Sequence, residues 1–126
     1  MVFDIAIDPA WRLPLLLIGA TPSRATAVLR EDAVDVTFGT ANVTIPYSNI
    51  RELRVRSWSV WLSVGIKIAG DKTLGLIGSR QGVVQIALRE PTVRGVLFMR
   101  WPRNIAVSMQ DPNGFIQAVQ ARLPRD

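Results

Sequence analysis

Val34-Asp35-Val36-Thr37-Phe38-Gly39-Thr40-Ala41-Asn42-Val43-Thr44-Ile45-Pro46-Tyr47 is a hairpin written in period two. Val34, Val36 and Phe38 alternate with Asp35, Thr37 and Gly39, and Val43, Ile45 and Tyr47 resume after a Gly39–Thr40–Ala41–Asn42 turn. Successive side chains of a strand point to opposite faces, so this alternation means one buried face. Upstream, Arg30-Glu31-Asp32-Ala33 has the composition of a turn joining strands at 25–30 and 34–38.

The same period continues downstream. Leu53 and Val55 alternate with Arg54 and Arg56, which places both arginines toward solvent. Trp58, Val60, Leu62, Val64 and Ile66 hold one face against Ser59, Ser63 and Gly65, with Trp61 out of phase and therefore exposed. Gly70-Asp71-Lys72-Thr73 and Gly78-Ser79-Arg80-Gln81-Gly82 read as turns around strands at 74–77 and 83–88. Strands at such short spacing predict an antiparallel meander closing into a barrel or roll of about seven strands.

The end of the chain changes period. Asp111 caps a helix, Pro112 suits its first position, and Phe115, Ile116, Val119 and Leu123 share one face. Arg122 and Arg125 suit its negative end. The expected class is mainly β (α+β): a pleckstrin-homology-like barrel or roll with one C-terminal amphipathic helix plugging an open end. The expected core is Val36, Phe38, Val43, Ile45, Leu53, Val55, Trp58, Val60, Leu62, Ile86, Leu88, Ile105, Val107, Phe115, Ile116 and Val119.

At 126 residues, 48% apolar and 20% charged, the chain reads as one globular domain. Residues 1–23 form an N-terminal strand and apolar covering segment, 24–109 the meander and 111–123 the helix. Fifteen basic residues against ten acidic give a net charge of +5, and thirteen of the fifteen are arginine. That skew reads as the imprint of a GC-rich genome, and the charge as a weak, salt-sensitive attraction to anionic surfaces. The apolar run Leu13–Ile18 is far shorter than the ~20 residues that span a bilayer. It follows Asp4 and Asp8 rather than a basic segment, so a cytoplasmic protein is expected, peripheral to the membrane at most.

The chain has no histidine and no cysteine. Imidazole- or thiol-based nucleophilic catalysis, disulfides and Cys/His zinc sites are thereby excluded. The clustered Glu31, Asp32 and Asp35 read as a solvated turn, so carboxylate catalysis is the lesser alternative, requiring Glu31 or Asp35 in a cleft facing Glu52 or Glu90. Gly75, Gly78 and Gly82 read as turn glycines, with no Gly-Lys-Ser/Thr and no helix start to make a phosphate loop. Arg51, Arg54, Arg56, Trp58 and Trp61 mix basic and aromatic character, but the alternation puts Trp58 in the core and argues against nucleic acid.

The segment Val93–Arg103 is the unusual one. Apolar residues run from Val96 to Met99, with Arg94, Arg100 and Arg103 around them and Trp101 among them. It reads either as a strand covered on both faces or an ordered loop covering the barrel, or as a loop meeting an anionic membrane surface. Trp61, Arg94, Phe98, Arg100, Trp101 and Arg103 are the candidate interaction surface. No catalytic residue, cofactor or metal is expected. The function expected is a non-catalytic binding or scaffold module that meets a protein partner, another copy of itself or, weakly, an anionic membrane. A barrel holding a small apolar ligand is the alternative.

Ile45-Pro46-Tyr47-Ser48-Asn49-Ile50-Arg51-Glu52-Leu53 resembles the strand-to-strand passage of bacterial pleckstrin-homology-like domains. Trp11-Arg12 with Gly19, Phe38-Gly39, Ser48-Asn49-Ile50, Arg89-Glu90-Pro91-Thr92-Val93-Arg94-Gly95 and Val107-Ser108-Met109-Gln110-Asp111-Pro112 are similar to stretches of a family of short, uncharacterised actinobacterial (largely mycobacterial) β-rich proteins. The similarity runs over most of the chain and departs at Arg56-Ser57-Trp58, where relatives carry a Gly-Pro-Tyr-like segment. It implies the fold and an actinobacterial origin, and no activity.

Overall fold

The computed structural model describes residues 1–7, 24–39, 41–56, 65–69, 72–79, 81–90, 94–95 and 102–124. Two mixed-length sheets carry the fold. The first holds β1 (Val2–Asp4), β2 (Ala25–Leu29), β3 (Ala33–Phe38), β4 (Ala41–Pro46) and β9 (Arg94–Gly95), in that order. After a 3-10 turn at Tyr47–Asn49 comes the second, in the order β5 (Ile50–Val55), β8 (Val83–Leu88), β10 (Asn104–Ser108), β7 (Thr73–Ile77) and β6 (Gly65–Ala69). Helix α1 spans Pro112–Gln120 and packs against β5 and β8.

The β3–β4 hairpin forms on the side-chain period expected of it. Val34 pairs with Ile45 and Val36 with Val43, and all four side chains are buried. The turn is tighter than its composition suggests, because Ala41 and Asn42 already belong to β4, opposite Phe38 and Thr37. Gly39, at φ 64°, supplies the left-handed backbone that a tight hairpin needs. At the crossing between sheets the Tyr47 hydroxyl donates to the Arg30 carbonyl at 2.7 Å. Burial raises the phenol above its ordinary pKa; the Arg122 charge opposes this and Asp32 adds to it.

The second sheet departs from a meander. β10 lies between β7 and β8, antiparallel to β8 and parallel to β7, so the expectation of a wholly antiparallel sheet is corrected. The reason lies in composition. Ile105-Ala106-Val107 is apolar on both faces, as a central covered strand requires, and every residue of β7, β8 and β10 is buried. Met109, just after β10, donates its N–H to the Gly82 carbonyl at 2.9 Å. Gly75, expected in a turn, sits inside β7.

Nor do the sheets close into a barrel among the described residues. Among the described residues they meet at isolated bridges, Ile5 with Met109 and Ile7 with Gly78, where the chain leaving β1 crosses onto the second sheet. Helix α1 bears on both sheets, packing on β5 and β8 and meeting Phe3 of β1. Asp111 caps it by accepting the Gly114 N–H at 3.1 Å, and Pro112 occupies the first turn. Phe115 and Val119 are fully buried, and the Phe115 ring meets Phe3 of β1 edge-on, with centroids 5.6 Å apart. Arg122 donates to the Ala118 carbonyl at 2.8 Å, at the negative end of the helix. Arg125 lies outside the described residues.

Most of the expected core is buried, with three kinds of exception. Ile116 is only half-buried. Val55 is 55% exposed, although it shares the alternation of Leu53. It ends an outer strand of the sheet, and a bulge between Ile50 and Glu52 has already broken the period of that strand. Trp58, Val60 and Leu62 lie outside the described residues. The opposite deviation occurs at Arg56, which does not turn wholly to solvent. Its Nη1 donates to Thr73 Oγ1 at 2.9 Å and to Gln85 Oε1 at 3.1 Å. Buried oxygens require donors, and a guanidinium supplies them.

Candidate functional site

One end of the second sheet gathers arginine. β8 runs antiparallel to both neighbours, so its last residues lie beside the first residues of β5 and of β10. The backbone fixes this end closely. Arg89 N–H donates to the Asn49 carbonyl at 2.8 Å, and Leu88 N–H to the Arg103 carbonyl at 2.9 Å. The Asn49 side chain clasps the Glu90 backbone through Glu90 N–H to Oδ1 at 2.8 Å and Nδ2 to the Glu90 carbonyl at 3.1 Å. Arg103 N–H donates to the Lys72 carbonyl at 2.8 Å.

Between these strand ends lies a groove of about 360 Å³ lined by Arg51, Leu88, Arg89, Arg103 and Asn104. All three arginines are exposed, while Leu88 and Asn104 are buried and form the floor. The β5 bulge leaves Arg51 and Glu52 both exposed in succession, which a regular strand would not do. Asn104 Oδ1 accepts from Gln85 Nε2 at 3.0 Å, and Gln85 in turn accepts from Arg56. A side-chain network thus runs from the floor of the groove across the sheet, which holds Asn104 in one orientation. A second hollow, about 340 Å³ near Ser79, Gln81 and Pro112, has no charged residue in its described lining.

Chemically, the groove offers charge and hydrogen-bond donors. A guanidinium carries five N–H donors and a permanent positive charge, so it binds anions but cannot shuttle a proton. No carboxylate is among the described residues that line the groove. Glu31 and Asp32 are exposed in the bend before β3, while Asp35 lies within β3 rather than in the turn. Its carboxylate accepts from Arg30 Nε at 2.6 Å and from the Thr44 hydroxyl. Burial pushes the Asp35 pKa up, but the Thr44 and Arg30 hydrogen bonds and the Arg30 charge together bring it below the ordinary value. A base held low is weak near neutrality. Among the described residues no group of carboxylates is placed to hold a metal ion.

Asp35 also carries a pH signature. A carboxyl depressed in the folded state contributes stability above its unfolded pKa, ~3.9, and loses it as pH falls through the folded value. Arg30 is 61% exposed, so the contribution is at most ~1 kcal/mol. Urea midpoints at pH 6 and pH 3 should differ more for the native chain than for Asp35→Asn. Equal acid sensitivity of the two would remove Asp35 from the account.

Of the residues expected at an interaction surface, Arg103 lies in the groove. Arg94 belongs to β9, in the other sheet, paired with Thr44 of β4. Trp61, Phe98, Arg100 and Trp101 lie outside the described residues, as do Leu13–Ile18. Arg51, Arg89 and Asn104 were not expected to meet Arg103. Arg51 lies near the start of β5, Arg89 just after β8 and Asn104 at the start of β10, and only the pairing of those strands brings them together. No helix among the described residues is long and apolar enough to cross a membrane. Set against family models, curated proteins and solved structures, the chain matches none.

Proposed function

We propose that this chain is a non-catalytic binding module of pleckstrin-homology-like plan that recognises an anionic ligand or surface from the cytoplasm. One observation carries the reading: its groove is lined by Arg51, Arg89 and Arg103 with Leu88 and Asn104, and its described lining contains no carboxylate. Such a surface attracts and orients negative charge, and among its described lining residues there is no acid–base pair to act on what it binds. The net charge of +5 adds long-range attraction of the same sign. The pleckstrin-homology-like plan is favoured by two sheets followed by one helix that packs on both of them.

Native mass spectrometry of the freshly purified protein separates this reading from its rivals. The expected spectrum shows the bare chain, or a low-mass anionic adduct released as salt is raised. A retained lipid-like mass insensitive to salt would favour an internal apolar ligand instead.

A further inference from the structure

We propose that the outer edge of β5 pairs with the β5 edge of a second copy of this chain, antiparallel and centred on Leu53, so that Glu52 of each copy stands opposite Arg54 of the other. β5 closes one side of the second sheet, and among the described residues only β8 pairs with it. The Arg56 N–H donates to the Val83 carbonyl at 2.7 Å, and backbone groups alternate in direction along a strand. Arg54 and Glu52 therefore also turn theirs toward β8, while Leu53 and Val55 turn theirs outward. A second β5 laid along this edge with Leu53 opposite Leu53 exchanges both hydrogen bonds of a central pair.

The order of charges selects this occupant and its register. Charged side chains usually guard a sheet edge against pairing. Residues facing each other across antiparallel strands share one face of the sheet, so a two-fold axis falls on a residue and never between two. Centred on Glu52 or on Arg54, the pairing sets like charges against each other. Centred on Leu53, it sets Glu52 against Arg54 twice, once on each side of the axis. Both are exposed, they flank the buried Leu53, and neither has an ion pair among the described residues. The same register gives Val55, 55% exposed, a diagonal neighbour in Leu53 of the second copy. The bulge between Ile50 and Glu52 ends the regular ladder, so the contact is short and the dimer weak and reversible. Being isologous, it closes at two copies.

The experiment is sedimentation equilibrium of the full chain at concentrations up to about 1 mM, the range of weak complexes. A reversible monomer–dimer equilibrium is expected. Glu52→Arg and Arg54→Glu each convert both cross-strand pairs into like-charge pairs, and each should weaken association at least about tenfold. An equimolar mixture of the two variants sets arginine only against glutamate and should dimerise at least as well as the native chain. Glu52→Arg/Arg54→Glu in one chain restores the opposite pairs and should recover native association within about threefold. Glu31→Arg, an equal charge change at an exposed position outside β5, should alter it less than about twofold. A monomer at every concentration, a mixture no tighter than the single variants, or growth beyond two copies would overturn the proposal.

Should a variant fail to fold, amide exchange of the native chain replaces it. Exchange at Leu53 and Val55 should slow as protein concentration rises, while Arg54, whose amide already faces β8, stays unchanged. Exchange at Leu53 and Val55 that is independent of concentration contradicts the assignment. Slowing confined to Val2–Asp4, the edge strand of the other sheet, contradicts it as well. Neither Glu52 nor Arg54 is in the described lining of the groove, so loss of dimerisation in these variants leaves the anionic-ligand reading standing.

Discussion

Replacing Phe115 by alanine is expected to destabilise the protein by ~3–5 kcal/mol, the cost of emptying a closed aromatic site. Phe115 is fully buried and meets Phe3 of the first sheet, while its helix packs on β5 and β8 of the second. One side chain therefore joins both sheets to the helix, and the surroundings have little freedom to collapse into the space it leaves. Urea denaturation provides the measurement. A domain of ordinary stability, ~5–15 kcal/mol, would lose about a fifth of its margin or more. A loss below ~1 kcal/mol would mean that Phe115 does not tie the helix to the sheets.

Gly78→Ala is expected to be the next most damaging change, at ~1–3 kcal/mol despite adding only a methyl group. A Cβ at Gly78 would stand 2.4 Å from the Ala6 carbonyl oxygen and 2.7 Å from Ile7 Cγ1. Neither the Ala6 backbone nor the bridge from Ile7 can yield without pulling the N-terminal segment off the second sheet. The same segment is held by Ser108, whose hydroxyl accepts the Gly78 N–H and donates to the Ala6 carbonyl, each at 2.9 Å. Amide exchange at Ala6, which donates to the Ser108 carbonyl at 2.7 Å, should accelerate together with the loss of stability. Combining Gly78→Ala with Ser108→Ala should cost less than the two separate losses added together, since both release one segment. Full additivity would show that the two residues act independently.

What the sequence made legible follows from the range of its signals. Period-two alternation is local, so Val34 to Ile45 announced both the hairpin and its buried face. Asp111, Pro112, Phe115 and Val119 marked the helix start and its inward side through spacing alone. The order of strands is not local. Nothing near Ile105-Ala106-Val107 indicates that β10 enters between β7 and β8, although its two-sided apolarity marks a covered strand. Residue identity also misled where the period breaks. The β5 bulge turned Arg51 outward beside Glu52, and the buried oxygens of Gln85 and Thr73 drew Arg56 inward. The groove was illegible for a related reason. Arg51, Arg89 and Arg103 stand far apart in the chain and become neighbours only through the pairing of three strands.

Whether the groove binds an anionic ligand without acting on it is answered by one spectrum. A 31P NMR spectrum of phenyl phosphate should broaden and shift when the native chain is added, and sharpen again with the Arg51→Gln/Arg103→Gln variant. Its integral should stay constant over hours, with no inorganic phosphate resonance growing beside it. A line untouched by the native protein would contradict the binding. A growing phosphate resonance, proportional to protein concentration, would contradict the claim that the module only binds.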